Sequence, residues 1–173
     1  MIRSIKLLSL MLIGLMFITS MTKADESAVT FGVRQHSNSI IINNLPFGNG
    51  DIGYGIGYQF SDASGSWEIM AEYSPNPSGT SNTVDYVVIP QLNLIFRDGG
   101  WLVGLGFLKP YVRDSIDGGG WENIYWQAIL GIRVPFSAVQ LDIKAYYVVD
   151  NFGDISRFDF ADIEFGAWLN YLF

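Results

Sequence analysis

Between Asp51 and Phe60 the chain alternates with a period of two. Ile52, Tyr54, Ile56, Tyr58 and Phe60 fall on one face, and Asp51, Gly53, Gly55, Gly57 and Gln59 on the other. Successive side chains of a β-strand point to opposite sides, so this stretch is a strand with one bulky apolar face and one small or polar face. The carboxyl-terminal run from Asp162 to Phe173 repeats the pattern. Ile163, Phe165, Ala167, Leu169, Tyr171 and Phe173 share one phase, and Asp162, Glu164, Gly166 and Asn170 the other.

The same alternation recurs along the chain. A first strand at about 27 to 36 sets Val29, Phe31 and Val33 against Thr30, Gly32 and Arg34. Trp67, Ile69, Ala71 and Tyr73 alternate with Glu68, Met70 and Glu72. Tyr86, Val88, Leu92, Leu94 and Phe96 follow, with Gln91 and Asn93 opposite, and then Trp101, Val103, Leu105 and Phe107 against Gly104 and Gly106. A sixth strand carries Ile124, Trp126, Ala128, Leu130, Ile132 and Val134 against Asn123, Gln127, Gly131 and Arg133. In a seventh, Val139, Leu141, Ile143, Ala145 and Tyr147 face away from Gln140, Asp142 and Lys144. The connections alternate in length. Ser37–Gly50, Ser74–Thr83, Tyr111–Gly120 and Asp150–Phe158 are long, whereas Ser61–Ser64, Arg97–Gly100 and Pro135–Ala138 are short, with Asp98-Gly99-Gly100 suited to a tight hairpin.

About eight such strands predict an all-β fold, a transmembrane antiparallel up-and-down β-barrel with four longer surface loops and short periplasmic turns. The apolar phase must face outward, because the lumen of an eight-stranded barrel has too little room for so many bulky side chains. The inward phase then holds the strand glycines and a set of charges: Arg34, Glu68, Glu72, Arg133, Asp142, Lys144, Asp162 and Glu164. Charges in a narrow lumen must be paired, so an ion-pair network is expected, with Arg34 beside Asp162 or Glu164 and Arg133 beside Asp142. Pro90 sits in mid-strand, where it removes a ladder hydrogen bond, and is expected to mark a bulge. Phe60, Trp67, Phe96, Trp101, Phe136, Tyr171 and Phe173 near the short turns, and Tyr73, Tyr86 and Tyr147 near the long loops, read as two aromatic girdles.

At the other end, Arg3 and Lys6 precede the apolar run Leu7–Ile18, and Thr22-Lys23-Ala24 offers a small-x-small cleavage site. Residues 1–24 are read as a cleaved signal peptide and 25–173 as one barrel domain. Removing the signal takes Arg3, Lys6 and Lys23 with it and moves the formal charge from -7 to -10. An acidic chain without a clustered basic face is not a nucleic-acid binder. The chain has no cysteine, which excludes disulfides, thiol catalysis and cysteine metal sites.

The closing run, with Leu169, Tyr171 and a terminal Phe173, resembles the last strand of bacterial outer-membrane β-barrel proteins. The resemblance implies that these three residues serve as an assembly signal read by the barrel assembly machinery. It also implies that outer-membrane lipids and lipopolysaccharide surround the protein.

A catalytic site is less evident. His36 is the only histidine and stands beside Ser37, so a base and a hydroxyl lie close in sequence. This region is similar to the outer-membrane lipid A palmitoyltransferase, which has a histidine at the top of its first strand and an Asp-Ser pair in an outer loop. The Asp-Ser pair here, Asp114-Ser115, falls in the third long loop rather than the second. The lipid A deacylase barrels instead carry His and Ser on a late strand, where this chain has no histidine. Asp114, Asp117 and Glu122, or Asp150, Asp154 and Asp159, gather carboxylates without calcium-loop spacing and read as solvated loops. No metal and no cofactor is expected. Ile40-Ile41-Ile42 and Leu45-Pro46-Phe47 are unusually apolar for a loop, and fold over the barrel mouth, touch lipopolysaccharide or contact a partner. The expected role is structural or surface-interacting, with an unknown surface ligand. A lipid A modifying enzyme and a narrow channel are the alternatives.

Overall fold

The computed structural model describes residues 26–38, 45–62, 65–79, 83–116, 118–151 and 158–173. The expected signal peptide, Ile40-Ile41-Ile42, Asp117 and Asp154 lie outside the described residues. The strands are β1 (Glu26–Gln35), β2 (Ile52–Ser61), β3 (Gly65–Pro75), β4 (Val84–Asp98), β5 (Trp101–Leu108), β6 (Tyr111–Asp114), β7 (Gly118–Trp121), β8 (Tyr125–Phe136), β9 (Val139–Val149) and β10 (Glu164–Leu172). Among them β1, β2, β3, β4, β5, β8, β9 and β10 each pair antiparallel with the next, and β10 returns to β1. The sheet closes into an up-and-down barrel of eight strands. Closure removes the free edges that such apolar strands would otherwise expose.

Outward and inward phases follow the alternation. Ile56 is 62% exposed and Leu105 59%, whereas Glu68, Asp142 and Lys144 on the opposite phase are fully buried. Across the closing seam Phe31 pairs with Leu169 and Val29 with Tyr171, which continues one apolar band from the first strand to the last. Tyr147, expected in the outer girdle, is instead buried, covered by Val149, Ile163 and the ring of Phe158.

Four local readings are corrected. The third long loop is not irregular throughout: β6 and β7 form a hairpin that prolongs the sheet along the upper part of β4, Val84–Val88. Its glycine-rich second arm, Gly118-Gly119-Gly120, has little intrinsic strand propensity, and pairing with β6 overrides that. The first strand spans Glu26–Gln35, so His36 lies just beyond it. The last begins at Glu164, because Asp159 caps a short 3-10 turn, Phe160–Asp162, through a bond accepted from the Ala161 N–H. Asp162 therefore sits in that turn and not in the lumen phase.

Pro90, finally, marks no bulge. β4 pairs with β5 over Gln91–Asp98 and with β6 over Val84–Val88, so Pro90 falls where one partner gives way to the other. Its carbonyl accepts from Lys109 N–H on that same side, so its missing N–H would have faced the gap.

Candidate functional site

The chemistry of this chain is concentrated inside the barrel, which fills in layers. At its middle stands Trp168, almost fully buried with Met70, Ile95, Leu102, Ile129 and Tyr146. Three glycines make room for the indole. A Cβ at Gly32 would come within 2.7 Å of the ring, one at Gly55 within 2.5 Å, and one at Gly166 within 2.6 Å. Gly55 and Gly166 lie on strands β2 and β10, either side of the strand β1 that carries Gly32, so the groove exists only in this register.

On the long-loop side of Trp168 lies an ionic layer. Arg34 Nε donates to Glu164 Oε2 at 2.6 Å and Nη1 to Gln127 Oε1 at 3.1 Å, and its guanidinium lies 4.1 Å from the Tyr146 ring centroid. Glu72 is 3.9 Å from Arg34 and accepts from Gln91 Nε2 at 2.9 Å. His36 stands between the two carboxylates, with Nε2 2.6 Å from Glu72 Oε1 and Nδ1 3.1 Å from Glu164 Oε2. Nδ1 hydrogen-bonds with Glu164, while Nε2 lies within ion-pair distance of Glu72 Oε1 but out of line for a hydrogen bond, so each nitrogen has a carboxylate beside it. That arrangement suits the imidazolium, which has two donors, and not the neutral ring, which has one. Burial alone would lower the affinity of this ring for its second proton. The Glu164 and Glu72 carboxylates outweigh burial and hold its pKa up at about 9.

A second ionic layer lies toward the short turns. Lys144 Nζ donates to Glu68 Oε1 at 2.6 Å and sits 3.4 Å from Asp142, which also takes a two-pronged contact from Arg133 at 2.6 and 2.7 Å. Gln59 joins Ser66 and Arg133 to this layer, and the chain Gln127–Asn93–Glu68 ties the two layers together. Four basic groups, Arg34, His36, Arg133 and Lys144, thus meet four carboxylates, Glu68, Glu72, Asp142 and Glu164. With His36 doubly protonated the charges balance. Thr30 bonded to Asn170, and Arg97 bonded to the Asp62 carbonyl, continue the polar lining toward the short-turn end.

Above the first layer the mouth is apolar. Leu45 and Phe47 of the first long loop are buried with Val84, Val87, Ile89, Leu108, Tyr125 and Val148. Phe47 lies flat on His36, ring centroids 3.7 Å apart and planes 4° apart.

The residues weighed as catalytic are engaged elsewhere. Ser37 Oγ donates to the Asp162 carbonyl, Ser115 Oγ to the Thr83 carbonyl, and Asp114 accepts from Thr83 Oγ1 and Ile116 N–H. His36 is ion-paired with Glu72 and Glu164, so the geometry does not assemble it with Ser37, Asp114 or Ser115 into a nucleophile and base. Among the described residues no group of three or more His, Asp or Glu side chains is arranged to hold a metal ion. Phe173 ends the chain beside β1, its N–H donating to the Ser27 carbonyl and its ring 67% exposed, 5.9 Å from that of Tyr58. Tyr171 and Leu169 share its outward phase.

The alternation puts Trp168 and Tyr146 in the inward phase, beside Gly166 and Lys144, but neither was singled out, and His36 read as a loop residue. The available signal was the set of glycines on neighbouring strands, which becomes a groove only once the register is known.

No family model matches the chain, and no curated protein does. Among solved structures it is similar to Ail, the attachment invasion locus protein of Yersinia pestis, at 14% identity and a TM-score of 0.40, over 86% of this chain and 98% of that one.

Proposed function

We propose that this chain is an integral outer-membrane β-barrel with a plugged interior, which works through the surface its loops present and not by conducting solutes. One observation carries the reading: the apolar phase faces out on every barrel strand while the ionisable groups of the inward phase pair with one another across the lumen. An outside of this kind is stable against hydrocarbon and unfavourable against water. A closed antiparallel sheet satisfies its own backbone hydrogen bonds, as a lipid-embedded structure must.

The remaining parts belong to the same proposal. Outer-membrane lipid and lipopolysaccharide surround the band, residues 1–24 direct export, and Leu169, Tyr171 and Phe173 are read by the assembly machinery. The outward position of these three side chains on the last strand supports that role. On the long-loop side the β6–β7 hairpin carries Ile116 and Trp121, both strongly exposed, and is the element best placed to meet a surface ligand.

The test is fractionation of producing cells with gel migration before and after boiling. Recovery in outer membranes with a heat-dependent shift supports the reading, and recovery as a soluble periplasmic protein contradicts it.

A further inference from the structure

The seating of Phe47 on His36 joins a loop to a titratable group. The apolar tip Leu45-Pro46-Phe47 is followed by Gly48 and by Gly50, whose φ of +94° is left-handed. The foot of the loop is fixed: His36 N–H donates to the Asp51 carbonyl and Gly50 N–H to the His36 carbonyl. The tip is held from the side by Asp51, which accepts from the N–H of Gly48 and of Ser78 and from Ser78 Oγ, and by Gly79 N–H on the Pro46 carbonyl. The Ser78 contacts are exposed, where water replaces a hydrogen bond at small net loss. The Gly48–Asp51 and Gly79–Pro46 bonds remain as a tether, and beyond them the tip is kept down by the apolar cup and the face of the His36 ring.

We propose that Leu45-Pro46-Phe47 is a pH-sensitive lid on the outer mouth, closed while His36 holds both ring protons and released when one is lost.

The groups around His36 explain the coupling. Glu72 approaches from β3 and Glu164 from β10. Arg34 of β1 bonds to Glu164 and lies against Tyr146 of β9, while Gln91 of β4 holds Glu72 and Gln127 of β8 holds Arg34. A neutral ring has a single N–H, so one carboxylate would face a nitrogen lone pair, and the lumen would carry one uncompensated negative charge. The ring relieves this by turning or shifting. A face-to-face stack at 3.7 Å and 4° does not survive such a turn, and the attraction of a charged ring for the Phe47 face goes with it. The sign is fixed by the raised pKa: the contribution is fully present below about 6.5 and is lost as pH rises through about 9.

The absence of cysteine gives a clean assay. Val148→Cys places a thiol in the buried cup, and Glu122→Cys places one at an exposed reference position. The ratio of their labelling rates by a charged maleimide, on folded protein in detergent, corrects for the rise of thiolate with pH that the two positions share, and the His36→Gln background corrects for the higher pKa of the buried thiol. The ratio is expected to increase at least about tenfold between about pH 7 and about pH 10, around the midpoint of the His36 titration. In the His36→Gln background it rises only as far as the higher pKa of the buried thiol dictates, and in Phe47→Ala it is high at both pH values. A wild-type ratio that does not change, or a His36→Gln ratio that rises as the wild type does, overturns the lid. So does a Phe47→Ala ratio that stays low at neutral pH, a reading that remains decisive if His36→Gln fails to fold.

Discussion

Arg34 Nε lies 2.6 Å from Glu164 Oε2, across the seam where the first barrel strand meets the last. The two residues are 130 positions apart, and both are buried. Closure of the sheet makes this pair, and the pair in turn ties the seam from inside.

Truncating one partner leaves the other charge buried without compensation. Arg34→Ala is expected to destabilise by on the order of 3 kcal/mol, and Glu164→Ala by a similar amount. The double variant should lose less than the sum, because it removes the orphan charge together with its partner. Urea midpoints in lipid or detergent read all three. Arg34→Ala with an unchanged midpoint would show that the lumen charges are hydrated rather than paired.

The second prediction concerns Trp168. Trp168→Ala empties the centre of the barrel and is expected to cost about 3–5 kcal/mol. Gly55→Leu puts a side chain where the indole stands and should destabilise on its own. In the Trp168→Ala background its effect should shrink or reverse, since the space is then free. A double-mutant cycle with no coupling between the two positions would mean that Trp168 does not fill the glycine groove.

How much of this was legible in the sequence differs by layer. Ile52 to Phe60 and Phe165 to Phe173 announce their strands because the outer face is uniformly bulky, and one bulky row per strand is enough to set phase. The charges on the other face follow once the phase is set, which is why Arg34, Glu164, Arg133 and Asp142 could be named together. Asp162 shares their phase by counting, but it lies in the 3-10 turn that Asp159 caps, and the strand begins only at Glu164. Apolar residues on the inner face are harder to read. Met70, Tyr146 and Trp168 break the polar row, and nothing local separates them from irregularities in the pattern. His36 looks like a loop residue along the chain; its burial depends on Glu72 and Glu164, which only the closed sheet brings to it. The β6–β7 hairpin was hidden by its glycines, since strand formation there comes from pairing and not from side-chain preference.

A third prediction addresses the carboxyl terminus. The Phe173 ring contacts Tyr58 at 5.9 Å and is largely exposed, so the folded barrel loses little packing without it. Deleting Phe173 should nevertheless cut the amount of assembled protein in cells severalfold, while the truncated chain refolded from urea into detergent keeps a midpoint near that of the full chain. Normal assembly of the truncated chain in cells would remove the signalling role.

The central claim is that the lumen is filled and closed. It rests on the proposal that two ionic layers, the Trp168 cluster and the Leu45–Phe47 cap fill the lumen of an eight-stranded barrel and block a continuous water path. Single-barrel current recordings in planar bilayers at neutral pH test this most directly. The account predicts a baseline without stable open steps; steady, porin-like conductance from folded wild-type protein would contradict it.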